Sequence, residues 1–136
     1  WPHGEQSRGI LVDSISVPAN KIVSIPLGLA LKEFTEPRPA ARAQICAEFG
    51  LPLAAPIIMN IGRLVPVKNH ALFVAFAAEW AKAGLPGSFL IVGDGSQRAD
   101  LTAQIAAHGL SERVIITGWR GDLPNLLAAA DVLVNT

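Results

Sequence analysis

The sequence predicts an α/β domain built on a parallel sheet, and three observations carry that expectation. Short, continuously apolar runs such as Ile57-Ile58-Met59 and Phe89-Leu90-Ile91-Val92 recur between longer stretches of helical pattern. Unbroken apolarity, rather than alternation, marks strands buried on both faces, as strands are when crossover helices cover a parallel sheet. Glycines stand where such helices would stop, at Gly50, Gly84 and Gly109, and an apolar run follows each stop.

Taken in order, the elements are these. The cluster Ile10, Leu11, Val12 and Ile15 suits a small helix, a turn follows over Pro18–Lys21, and "KIVSIP" is a short β-rich run. The two prolines and flanking charges of "LKEFTEPRPAARA" read as a connection. A helix is expected over Ala40–Phe49, a strand over Pro56–Ile61, and a helix over Asn69–Ala83 whose stripe Leu72, Phe76 and Trp80 belongs in the core. Phe89–Val92 is a strand, Gln97–His108 a helix with Leu101 and Ile105 one turn apart, and Arg113–Thr117 a strand. Asp122 can cap a last helix, "LPNLLAAA", with Pro124 tolerated in its first turn, and "DVLVN" is the last strand. The result is a Rossmann-like sheet with flanking helices over residues 36–136, preceded by a segment 1–35 of different character. The sequence stops directly after a strand, which leads to the expectation of a fragment.

Composition narrows the partners. With 136 residues the chain holds one ordinary domain with a real core. Eleven basic residues balance eleven acidic ones, so the basic excess of a nucleic-acid binder is missing and no nucleic-acid partner is expected. The strongest apolar run, Ala71–Ala78, ends at Glu79 and falls far short of the ~20 residues that cross a bilayer. "WPHGEQSRG" lacks the basic start and apolar stretch of a signal peptide. The expected location is cytoplasmic, extending to the inner membrane surface for a longer protein. Cys46 stands alone and reads as a buried spectator thiol; His3, His70 and His108 have no metal-ligand spacing, and no metal site is expected. His70, in the first turn of its helix, is expected to be neutral and exposed.

In an open parallel sheet, ligands bind beyond the carboxyl ends of the strands, so the strand-to-helix loops carry the chemistry. In "GRLVPVKN", Gly62 lets the backbone turn off the strand and Asn69 is a suitable N-cap. Arg63 and Lys68 bracket the positive end of the helix dipole. A helix N-terminus, a forked guanidinium and an ammonium together suit a diphosphate. The next loop, "VGDGSQ", sets Gly93 and Gly95 around Asp94, permitting either close approach to a ligand or a tight turn. It is no dinucleotide fingerprint, because Arg98 occupies the third glycine position. In "TGWRGD", Gly118 suits a turn and Arg120 is a donor, while Trp119 can either carry a nucleobase or fill a gap beside Leu123.

These segments resemble the C-terminal domain of retaining, nucleotide-sugar-dependent glycosyltransferases of the GT-B fold, the group that includes glycogen synthase, sucrose synthase and many bacterial lipopolysaccharide and mannosyl transferases. "KIVSIPLGL" resembles that family's strand and turn before the interdomain linker, and "NIGRLVPVKNH" its G-R-L-x-x-x-K-[NG] loop. "LIVGDGSQRADL" and "RVIITGWRGDLPNLLAAADVLVNT" follow in the expected order, so the likeness runs from Lys21 to Thr136. It implies that Arg63 and Lys68 are catalytic, stabilising charge on the departing diphosphate. It also implies a donor site formed by Gly62, Arg63, Lys68, Asn69, Gly93, Gly118, Trp119 and Arg120, with no cofactor and no metal, the donor being a nucleotide diphosphate sugar. The acceptor, a sugar or lipid-linked sugar, would be met through a domain outside this chain.

Two departures qualify the likeness. The family turn I-P-N-G-V-[DN] reads "IPLGLA" here, with Leu27 and Ala30 in place of polar residues. The family's E-x7-E segment would begin after Thr136, so this chain alone is expected to transfer no sugar. A non-catalytic nucleotide-sugar-binding module, or another GT-B enzyme such as a sugar-nucleotide epimerase, fits the same residues. A dehydrogenase does not, for want of the third glycine and of an acidic residue at the end of the second strand.

Overall fold

Ile57–Ile61 (β1), Ser88–Val92 (β2), Val114–Gly118 (β3) and Val132–Leu133 (β4) form one sheet in the order β3-β2-β1-β4, every neighbouring pair parallel. The computed structural model describes residues 9–23 and 38–136. The sheet lies in the larger of two units, Lys32–Thr136; the smaller is Trp1–Leu31. In the smaller unit, residues 9–13 are helical and Ala19–Lys21 is a 3-10 turn entered from Pro18, where the sequence places a helix and a turn. The strand expected over 21–26 is not formed at Lys21–Val23, and its remaining residues lie outside those described.

Helices Arg38–Phe49 (α1), His70–Lys82 (α2), Arg98–Ala107 (α3) and Leu123–Ala129 (α4) cover the sheet. Successive side chains on a strand point to opposite faces, and the two cores divide accordingly. Ile58, Phe89 and Ile91 meet Phe73, Val74, Leu101 and Ile105 from α2 and α3. Ile57, Met59, Leu90 and Val92 meet Ile45, Cys46, Leu126 and Ala129 from α1 and α4. Phe73 is fully buried and meets the Phe89 ring edge-on at 5.8 Å; burial of such a side chain stabilises by roughly 2–3 kcal/mol. The free thiol of Cys46 is buried as expected.

Three expectations need correction. The second half of "LKEFTEPRPAARA" is helix, because Pro39 falls in the first turn of α1, where its missing N–H would have had no acceptor; residues 31–37 lie outside those described. The stripe Leu72, Phe76 and Trp80 is not the buried face of its helix, although Trp80 packs against the core and Phe76 meets the Phe89 ring edge-on. The buried face of α2 is Phe73, Val74, Ala77 and Ala78, while Leu72 is 54% and Phe76 39% exposed. Trp80 is half-buried and donates its indole N–H to the Pro86 carbonyl at 2.9 Å. Burial on both faces also stops short of β4, whose two residues are exposed.

Candidate functional site

From β1 the chain winds outward to β2 and β3, then returns to the opposite side of β1 for β4. The carboxyl ends of β1 and β4 therefore flank the point where strand order reverses, the place where open α/β sheets bind ligands. Asn60, near the end of β1 and 2% exposed, donates its amide to Thr136 Oγ1 at 3.2 Å, and that hydroxyl donates to the Lys68 carbonyl at 2.8 Å. This relay ties β1 and the residues after β4 to the loop between β1 and α2. Neither Asn60 nor Thr136 stood out in the sequence, because a lone Asn in an apolar run carries no pattern.

That loop is held by backbone. Gly62 N–H donates to Val92 O (2.9 Å), Leu64 N–H to Asp94 O (2.9 Å), and Gln97 N–H to Leu64 O (3.0 Å). Gly93, with φ +144°, is pressed so closely on it that a Cβ there would sit 2.0 Å from the Gly62 carbonyl oxygen, and one at Gly95 would sit 2.5 Å from the Leu64 carbonyl oxygen. Close approach at Gly93 is thus to the protein's own backbone. Gly62 adopts no left-handed conformation, and a Cβ on it would make ordinary contacts, 3.6 Å from Lys68 Cδ and 3.7 Å from His70 Nε2; its small size is not what turns the chain.

Arg63 and Lys68 project from this braced loop and are exposed. Among the described residues neither head makes a hydrogen bond or ion pair with a neighbouring side chain or carbonyl. The Lys68 stem lies against Gly62, the residue before Arg63, with its Cδ 3.6 Å from where a Gly62 Cβ would be. Asn69 stands at the N-cap of α2, as expected, but its side chain makes no cap bond. It is there with φ 45° and ψ 41°, a left-handed conformation that Asn tolerates better than most residues. The first N–H groups of α2 consequently have no side-chain acceptor. His70 departs most from expectation: it is fully buried, with Nε2 3.1 Å from the Arg63 carbonyl.

The residues of the third loop separate. Gly118 (φ +79°) closes β3 and accepts a bond from Gly93 N–H at 2.9 Å, while Trp119 is 80% exposed and fills no gap beside Leu123. Arg120 is not a free donor. Its guanidinium grips Glu48 of α1 through both carboxylate oxygens, reaches both oxygens of Asp122 at 2.8 Å, and lies 5.5 Å over the Phe49 ring. The Asp122 and Glu48 bonds hold the Arg120 pKa above its ordinary value, and the Arg120 bond holds Asp122 below the usual carboxylate range. Asp122 does occupy the N-cap of α4, but its carboxylate is committed to Arg120 and caps nothing. Sequence reasoning missed Arg98 as a local cation. Its Nη1 lies 3.6 Å from where a Gly118 Cβ would be, held only by contacts of 3.5 Å to Asp94 and to the Ile116 carbonyl, which are long for hydrogen bonds.

An open depression of about 590 Å³ lies at the other edge of the sheet, lined by Pro52, Leu85, Pro86, Glu112 and Arg113 among others. Its arginine, Arg113, is engaged in holding the loop before β2, donating to the Leu85 carbonyl at 2.6 Å and to the Gly87 carbonyl at 3.2 Å. The carboxyl edge, with two unpartnered cations and an uncapped helix N-terminus, is the edge suited to an anion.

The chain is 34% identical over 119 residues to 2-deoxystreptamine glucosyltransferase of Streptomyces kanamyceticus, covering 85% of this chain and 31% of that protein. It is 35% identical over 135 residues to UDP-Gal:alpha-D-GlcNAc-diphosphoundecaprenol alpha-1,3-galactosyltransferase of Escherichia coli, covering 95% of this chain and 34% of that protein. The crystal structure of Anabaena Alr3699/HepE in complex with UDP and glucose superposes with a TM-score of 0.78 at 22% identity, over 98% of this chain and 36% of that one; at that identity the likeness speaks for the fold. The chain thus spans about a third of the length of the relatives it matches. Residues 55–136, which hold the whole sheet and the loops described above, match the family of glycosyl transferases group 1, and the chain belongs to that family.

Proposed function

We propose that this chain supplies the diphosphate-binding side of a donor site in a retaining glycosyltransferase that uses a nucleotide diphosphate sugar. The observation that carries the proposal is the pair Arg63 and Lys68, two unpartnered cations on a rigid loop at the N-terminus of α2, where strand order reverses. As the bond between sugar and phosphate breaks, negative charge grows on the departing diphosphate. Cations already in place stabilise that charge more than the ground state, and groups of this kind are worth a few kcal/mol each, roughly a hundredfold to a thousandfold in rate. The loop's backbone bonds keep the cations poised without using their side chains. Trp119, exposed beside the glycine that closes β3, is the surface on which a nucleobase would rest, with Gly62, Asn69, Gly93 and Gly118 shaping the backbone around the donor. Arg120 contributes by holding the third loop to α1.

Two relatives support the reading. The HepE structure was solved with UDP and glucose, and the name of the E. coli relative specifies a UDP-sugar donor and a lipid-diphosphate-linked acceptor. A sugar or lipid-linked acceptor would be met through parts of the protein beyond this chain. Among the described residues no helix is long and apolar enough to cross a membrane. Titrating the 136-residue chain with UDP, UMP and uridine tests the core of the proposal. UDP should bind weakly, more tightly than UMP, and less tightly as salt rises, because the second phosphate meets exposed cations; Arg63→Ala or Lys68→Ala should erase the preference. Equal affinity for UDP and UMP would refute the diphosphate assignment. The chain alone should transfer no sugar from UDP-glucose.

A further inference from the structure

We propose that His70 is a positioning residue for the cation loop: by donating its Nε2–H to the Arg63 carbonyl, it fixes the backbone from which the Arg63 guanidinium projects. The functional half of this inference rests on the diphosphate reading above; the structural half does not.

His70 opens α2 and is fully buried, with Nε2 3.1 Å from Arg63 O. A carbonyl oxygen only accepts, so Nε2 carries the proton, and in the neutral ring Nδ1 is then a bare lone pair. Nδ1 is buried with no partner. An apolar side chain of similar size would fill the same space without that unsatisfied atom, so the imidazole must contribute through its other nitrogen. The bonds to the loop after β2 brace Gly62 and Leu64, on either side of Arg63. The Arg63 carbonyl receives something different: the Val65 N–H at 2.8 Å and the imidazole. His70 is therefore the side-chain tie between α2 and the residue that carries the first cation.

The experiment compares His70→Gln, whose amide can still donate near the Nε2 position, with His70→Leu, which keeps the bulk and removes the donor. Hydrogen exchange at the Val65 amide reports on the shared carbonyl, and UDP titration reports on the cations. The leucine variant should exchange about tenfold faster at Val65 and bind UDP about tenfold more weakly, the effect of one lost hydrogen bond, while glutamine stays within about threefold of native in both. The Leu90 amide, in the middle of the sheet, should be unchanged in both variants. Leucine and glutamine variants that behave alike at Val65 would reduce His70 to a packing residue and overturn the inference. So would ¹⁵N spectra of the native chain showing a proton on Nδ1, a measurement that needs no variant to fold. If Arg63→Ala and Lys68→Ala leave UDP binding untouched, the diphosphate reading fails, while Val65 exchange still judges His70.

Discussion

At the amino edge of the sheet Arg38, Arg42 and Arg113 direct their guanidiniums onto carbonyl oxygens and Asp131, whereas at the carboxyl edge Arg63 and Lys68 engage neither. Arg42 alone donates to Leu53 O (2.9 Å), Ala129 O (3.0 Å), Ala55 O and Asp131 Oδ2 (2.8 Å). Arg38 adds bonds to Ala130 O (2.9 Å) and Asp131, and Asp131 accepts the Ile57 N–H at 2.8 Å. The amino edge is thus stitched by side chains. At the carboxyl edge the loops after β1 and β2 are stitched to each other by backbone, with glycines at 93 and 95 allowing one loop to lie on the other, while His70, Thr136 and Arg120 add side-chain ties that leave Arg63 and Lys68 unused. The difference shows how one sheet serves two purposes: where side chains hold the structure they are unavailable to ligands, and where the main chain holds it the cations remain free.

The strongest way to break this contrast is to put a side chain into the backbone seam. Gly93→Ala must move a Cβ that would stand 2.0 Å from a carbonyl oxygen, at a φ of +144° that side chains avoid, so it should cost on the order of 4 kcal/mol or abolish folding. Gly62→Ala, on the other side of the same seam, meets only ordinary contacts and should change stability by less than about 1 kcal/mol. Urea unfolding of the two variants measures both; equal losses would show that the seam is not where the carboxyl edge gets its rigidity.

Asp131→Ala attacks the other edge. It leaves Arg38, Arg42 and the Ile57 N–H short of an acceptor together, which should destabilise by about 2–3 kcal/mol. UDP affinity per folded molecule should be unchanged, because the carboxylate lies at the opposite edge from the cations. A loss of affinity without loss of stability would mean that the edges are coupled.

Much of this division was legible in the sequence. Continuous apolar runs and terminal glycines located all four strands and four helices of the larger unit to within two or three residues, because burial and helix termination act locally. Arg63 and Lys68 could be singled out because topology assigns ligands to carboxyl-edge loops. What the sequence withheld depended on partners distant along the chain. Arg120 resembles a free donor until Glu48, 72 residues earlier, is seen against it. His70 looks exposed in a first turn until the loop before it folds over the ring, and Asn69 and Asp122 occupy cap positions without capping, one through its backbone conformation and the other through Arg120. Leu72 and Phe76 fit an apolar stripe, yet Phe73 and Ala77 took the inward face.

Arg63→Ala and Lys68→Ala probe the free side of the comparison. Each should weaken UDP binding by about tenfold, or 1.4 kcal/mol, while shifting folding stability by no more than about 0.5 kcal/mol, the usual range for surface positions. Calorimetric titration and thermal melting on the same samples give both numbers. Destabilisation larger than the loss of binding would mean that these cations, like those of the amino edge, are structural.

The smallest expected effect is a dependence on acid, and its sign follows from the carboxylates that the arginines hold. Burial alone would raise the Asp131 pKa, but the Ile57 N–H and the Arg42 and Arg38 guanidiniums outweigh it and leave the group below its ordinary value of 3.8. Asp122 is lowered as well, chiefly by its bond to Arg120. A carboxylate whose pKa is lower folded than unfolded contributes stability that is fully present above the unfolded value and is lost as pH falls through the folded one. Stability should therefore be level from neutrality down to about pH 5 and decline below about pH 4. Both side chains are about a third exposed, 32% and 38%, so solvent screening limits their joint contribution to on the order of 1 kcal/mol. Asp131→Asn removes one of the two titrations, and its urea midpoint should fall less between pH 5 and pH 3 than that of the native chain. An unchanged slope in that variant would place the acid sensitivity elsewhere and leave the amino edge held by the arginine–carbonyl bonds alone.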